Sequence, residues 1–137
     1  MTKYKIIFFG GDRFLGNGPL SKLSLFLKKN KIKFLIITDH LHLKKKVNNN
    51  LIFKDVLKKN NYEFICVKKL NFDFLKNYVN KETIGFSINS IWKFNEEIIN
   101  LFKGRLYNYH AADLPTVKRC WQYYLEDFNE KKEKYLN

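Results

Sequence analysis

The sequence predicts an α/β domain in which a parallel sheet carries helices on both faces. Three observations carry that expectation. Short apolar runs recur near residues 5–9, 32–37, 64–67, 83–88 and 106–109, stretches of helical apolar spacing separate them, and the first run ends in Gly10-Gly11. Apolar runs without polar alternation suit strands covered on both sides, as strands of a parallel sheet are. Strand and helix in alternation then give crossovers of one hand within one sheet.

The elements follow in chain order. Lys5 to Phe9 is the first strand. Asp12 to Gly18 is a glycine-rich loop, and Pro19 suits the first turn of a helix whose apolar face is Leu20, Leu23, Phe26 and Leu27. This opening is Rossmann-like, but it lacks a clean GxGxxG, so the glycines read as serving a tight turn rather than a dinucleotide site. Ile32 to Ile37 is the second strand, and Thr38-Asp39-His40-Leu41-His42 reads as an exposed loop. With no third and fourth ligand at suitable spacing, that loop does not read as a metal site.

Lys44 to Asn50 is a polar connector into a helix from Leu51 to about Lys59, with Leu51, Val56 and Leu57 inward. Phe64 to Val67 is the third strand, with Cys66 as a core residue. Phe72, Phe74, Leu75, Tyr78 and Val79 mark a further short helix. Thr83 to Ile88 is the fourth strand and runs into Asn89-Ser90-Ile91-Trp92. A helix then starts at an Asn95 N-cap, buries Ile98, Ile99, Leu101 and Phe102, and ends at Gly104 as its C′ residue. The fifth strand, from Leu106, delivers Asn108 and His110. In such a sheet ligands bind beyond the carboxyl ends of the strands, where residues 89–92 and 108–110 fall.

At 137 residues, with 45% apolar side chains, the chain suits one packed domain. No apolar run is long enough to cross a bilayer, and Met1-Thr2-Lys3 leads straight into a strand without a signal-peptide pattern. Cys66 and Cys120 suggest neither a disulfide framework nor a zinc site, so the expectation is a cytoplasmic, metal-free protein. The net charge of +13 is almost all lysine, with Arg13, Arg105 and Arg119 the only arginines. Lysine, asparagine, isoleucine, phenylalanine and tyrosine share A/T-rich codons. Base composition therefore accounts for the charge without a nucleic-acid partner.

Asn108 and His110 lie two apart, so on a strand their side chains share a face. An amide donor beside a proton acceptor can stabilise an oxyanion and act as a base. Phe86-Ser87-Ile88-Asn89-Ser90-x-Trp92, followed by Gly104-Arg105-Leu106-x-Asn108-x-His110-x-x-Asp113-Leu114-Pro115, resembles the formyltransferase family, most closely its sugar N-formyltransferases. The resemblance covers roughly residues 4 to 119. It implies that N10-formyltetrahydrofolate donates a formyl group to the amine of a nucleotide-linked deoxysugar for surface polysaccharide such as lipopolysaccharide. It implies further that His110 takes the amine proton, that Asn108 stabilises the oxyanion, and that Asn89, Ser90, Ile91 and Trp92 hold the pterin, largely through backbone groups.

The chain also departs from that pattern. Such enzymes use an aspartate well beyond the histidine to orient it, and after Asp113 only Asp127 remains, in a polar tail without matching context. Where the family continues with a segment like Arg-Gly-Ala-Gly-Asn-Ile-Thr-Trp, this chain reads Arg119-Cys120-Trp121-Gln122-Tyr123-Tyr124. Codons for Cys120 to Asn129, read one base over, can spell Ala-Gly-Asn-Ile-Thr-Trp-Lys-Ile-Leu. The expectation is therefore an incomplete cofactor-binding domain at 1–119 and a divergent, out-of-frame tail at 120–137. Transfer should be negligible. Uncovered apolar surface at the sheet edge points to self-association, a homodimer in the simplest case. The competing readings are a methionyl-tRNA formyltransferase-like enzyme and a non-catalytic folate- or nucleotide-binding remnant. A basic nucleic-acid-binding domain comes third; the basic charge keeps the first of these open.

Overall fold

A computed structural model describes residues 4–11, 19–47, 51–88 and 90–109. Five strands form one all-parallel sheet: β1 (Ile6–Gly10), β2 (Phe34–Thr38), β3 (Phe64–Cys66), β4 (Ile84–Ile88) and β5 (Leu106–Tyr109). Their spatial order is β3-β2-β1-β4-β5, with neighbouring strands all parallel. The helices are α1 (Pro19–Lys29), α2 (His40–Leu43), α3 (Phe53–Lys59), α4 (Phe72–Leu75) and α5 (Glu96–Leu101). The α/β, Rossmann-like architecture expected from the apolar runs is the one observed.

Alternation along each strand sends side chains to opposite faces, and each face has its own core. Phe8, Phe34, Ile36 and Ile88 pack on one face with Leu27 of α1 and with Phe53 and Leu57 of α3. Ile7, Phe9, Leu35, Ile37 and Leu106 pack on the other with Leu75 of α4, Ile98 of α5 and Phe102. The first face carries a line of rings from β2 to β5: Phe34 meets Phe8 edge-on at 5.7 Å, Phe8 stacks on Phe86 at 5.7 Å, and Phe86 on Tyr107 at 5.6 Å. Each fully buried ring contributes about 1.5–3 kcal/mol through burial, so Phe8→Ala, at the centre of that line, removes about 3–5 kcal/mol. The line ends in the open: Tyr107, on edge strand β5, is 47% exposed.

Helix ends follow local chemistry. Asn95 caps α5 by accepting from the Ile98 amide at 3.0 Å, as its sequence position suggested, and Asn71 caps α4 in the same way at 2.8 Å. At the end of α1 the amide of Ile32 donates to Leu27 O and that of Lys31 to Lys28 O; at the end of α3 Tyr62 donates to Leu57 O and Asn61 to Lys58 O. These are two copies of one Schellman turn, with Lys31 (φ 57) and Asn61 (φ 55) in its left-handed position.

Five expectations need correction. Phe26 does not face the core, being 57% exposed. The inward stripe of α1 centres on Ser24 and Leu27, and Phe26 stands about 100° round the helix from Leu27. Leu51 is 45% exposed, because α3 begins after an Ile52 N-cap and its inward pair is Phe53 and Leu57. At the end of α5 the residue in the C′ position is Lys103 (φ 48), with Gly104 (φ 84) one place further on. The segment after β2 is not an exposed loop. Asp39 caps the short helix α2, and Asp39 and His42 are buried at 3% and 5% exposure. Cys66, on edge strand β3, is only half-buried.

At the amino ends of the strands, polar groups tie neighbouring starts together. Thr83 Oγ1 lies 3.1 Å from Tyr4 O and 3.0 Å from Asn80 Oδ1, and Arg105 Nε donates to Thr83 O at 3.0 Å. Tyr4 hydrogen-bonds the Glu63 carboxylate, and Lys33 Nζ sits over the Tyr4 ring.

Candidate functional site

The strand order reverses between β1 and β4, since β1 leads through α1 to β2 on one side while β4 leads through α5 to β5 on the other. In a sheet of this order the connections diverge from that line, which marks the carboxyl ends of β1 and β4 as the place for a ligand crevice. Gly10 closes its floor. It pairs with Ile88 across β1 and β4, has φ +149, and a Cβ there would stand 1.9 Å from Ile88 O. Only glycine allows the two strands to leave the sheet this close together.

On the β4–β5 side, register decides which side chains meet. Ser87 pairs with Asn108, which places both on the same face at the crevice edge. Ser87 is buried and lies 2.8 Å, Oγ to Oγ, from Ser90, so the first turn after β4 is pinned to the strand it leaves. Ile91 is 50% exposed, and Trp92 turns back on the second core, its Nε1 directed at Lys68 O at 3.4 Å. Phe94 packs edge-on against Phe9 at 5.1 Å. Residues 90–94 are thus an irregular segment held at Ser90, Trp92 and Phe94 and projecting at Ile91. Asn108 is half-buried. Of the residues expected to form the site, Ser90 is tied to Ser87, the β4 partner of Asn108, while Ile91 projects and Trp92 turns away toward Lys68 beyond β3. Asn89 and His110 lie outside the described residues, as do the glycine-rich loop from Asp12 to Gly18 and the tail at 120–137.

The β2 side holds what the sequence reading missed. Asp39 follows the last residue of β2; its Oδ1 accepts from the His42 amide at 3.0 Å and its Oδ2 lies 2.5 Å from His42 Nδ1. The imidazole is packed against the β1 exit, where a Cβ on Gly11 would stand 1.7 Å from His42 Cδ2. An aspartate directly after an apolar run is the N-cap signal that announces such a turn, and it stands in the sequence at Thr38-Asp39. Among the described residues no cluster of three or more His, Cys, Asp or Glu could hold a metal ion. Nearby on β3, burial first and the Asp39 carboxylate second push the Cys66 thiol up, against a smaller opposing pull from Lys54.

The arrangement supplies a glycine where β1 and β4 converge, a segment pinned at Ser90 with an apolar tip at Ile91, and an amide side chain on the adjacent strand. No protein-family model, curated protein or solved structure matches the chain. No helix among the described residues is long and apolar enough to cross a membrane.

Proposed function

We propose that this chain is the donor-holding domain of an N10-formyltetrahydrofolate-dependent formyltransferase acting on the amine of a nucleotide-linked sugar. The observation that supports the reading is the register of Asn108 beside Ser87, whose Oγ lies 2.8 Å from that of Ser90. Ser90 and Asn108 are among the positions the family likeness singles out, and both neighbour Ser87 of β4.

N10-formyltetrahydrofolate would supply the formyl carbon, whose oxygen gains negative charge as an amine attacks. Residues 89–92 would hold the pterin, with the Ser87–Ser90 contact fixing the loop before a ligand arrives and sparing the cost of ordering it. The Asn108 amide N–H donates toward the developing oxyanion, and a strand-borne donor needs no reorganisation to do so. His110, two residues on, would accept the proton released by the attacking amine.

Binding tests the reading without requiring turnover. Calorimetric titration of the full chain with 5-formyltetrahydrofolate, a stable folate analogue, should give saturable binding. Ile91→Asp should weaken it by at least about tenfold, because a charge at the apolar tip must be desolvated against the pterin. Absence of saturable binding by the folded wild-type chain at millimolar analogue would overturn it.

A further inference from the structure

The β2 side of the crevice is built but closed. In a sheet of this order, an acidic side chain one unit after the glycine turn is placed to accept from the hydroxyls of a nucleotide ribose. Asp39 stands at that place, one residue beyond the end of β2. Both its oxygens are engaged by His42, one by the backbone amide at 3.0 Å and one by Nδ1 at 2.5 Å. The imidazole also fills the room over Gly11, where a Cβ would lie 1.7 Å from Cδ2, 2.3 Å from Cγ and 2.4 Å from Nε2.

We infer that the Asp39–His42 pair is a specificity element that occupies the ribose side of the crevice, refuses adenine nucleotides there, and confines ligands to the β1–β4–β5 side. A bland alternative is that the pair only caps α2 and buttresses the β1 exit. The two differ in what happens when the imidazole is removed. A cap alone predicts lost stability and nothing gained, whereas a plug predicts a new ligand. The inference stands on the crevice and does not depend on which ligand the other side takes.

The probe is ADP, titrated calorimetrically into the full chain, with 2′-deoxy-ADP as the comparison. The wild-type chain should show no saturable binding. His42→Ala, which frees the carboxylate and the space over Gly11, should bind ADP at least about tenfold more tightly than wild type, and should prefer it to the 2′-deoxy form. Asp39→Asn added to His42→Ala should abolish the gain. The variants are assayed in sucrose, which favours the folded state by exclusion from the surface, with circular dichroism confirming the fold. His42→Ser is run beside them as a second route to the same opening. A folded His42→Ala or His42→Ser chain that binds ADP no better than wild type overturns the inference. So does wild-type binding of comparable strength, or a gain that survives Asp39→Asn.

Discussion

The two ends of the sheet are built from similar materials and differ in how those are used. At the amino ends, Tyr4, Asn80, Thr83 and Arg105 hydrogen-bond across strand starts, each satisfying a neighbour's backbone or side chain. At the carboxyl ends, Gly10 gives up a side chain to let strands converge, Asp39 and His42 are buried together, and Ser87 reaches out to pin a loop. One end is stitched shut by bonds that lead nowhere else. The other directs polar groups and irregular backbone toward a shared crevice. The contrast teaches where stability and binding should separate under mutation.

The largest effect should come from Gly10→Ala. A methyl group 1.9 Å from Ile88 O forces β1 and β4 apart, and a loss of at least about 3 kcal/mol is expected, read as collapse of the urea midpoint. Asp39→Ala comes next. It removes both the cap on α2 and the partner of a buried imidazole, and should cost about 3 kcal/mol in the same measurement. Thr83→Val at the amino end should cost less, about 1–2 kcal/mol, because the buried Thr83 hydroxyl is lost as acceptor for the Asn80 backbone amide. It should leave folate-analogue affinity unchanged in the folded chain. A Thr83→Val chain that folds yet loses the analogue would break the comparison.

The smallest effect appears only in alkali. Burial, and then the Glu63 carboxylate it hydrogen-bonds, push the Tyr4 phenol up from 10.0 to about 12. A group whose pKa is raised on folding contributes its stability in full below the unfolded value and loses it as pH climbs through the folded one. Wild-type stability should therefore fall between about pH 10 and 12 by a component that Tyr4→Phe lacks. Urea titrations of both chains across that window, compared by difference, would show it.

Much of the fold was legible in residue order. Five apolar runs became five strands within two residues of their expected starts, and Asn95 announced its helix through its own side chain. What the sequence concealed was angular and non-local. Phe26 and Leu27 are equally apolar, and only the position of β1 and β2 beneath α1 decides which one is buried. Leu51 looked like the start of a helical stripe, yet the backbone pairing of Lys46 with Ile52 delays the helix past it. The candidate site divided along the same line. Ser90 to Trp92 and Asn108 carry a recognisable pattern; Ser90 and Asn108 share Ser87 as a neighbour, while Trp92 is drawn toward Lys68. The Asp39–His42 pair was passed over because its burial depends on a glycine turn that lies 31 residues before His42 in the chain.

The twin turns after α1 and α3 have a consequence for how composition is written into stability. Both place a side-chain-bearing residue, Lys31 and Asn61, at the left-handed position that glycine occupies without strain. Lysine and asparagine are spelled by A/T-rich codons, whereas every glycine codon begins with two guanines. A genome drifting toward A and T would replace glycine first where the penalty is small, and a helix C′ position is such a place. Lys31→Gly and Asn61→Gly should each return up to about 1 kcal/mol, a gain won by reversing base composition at two sites that touch neither core nor crevice.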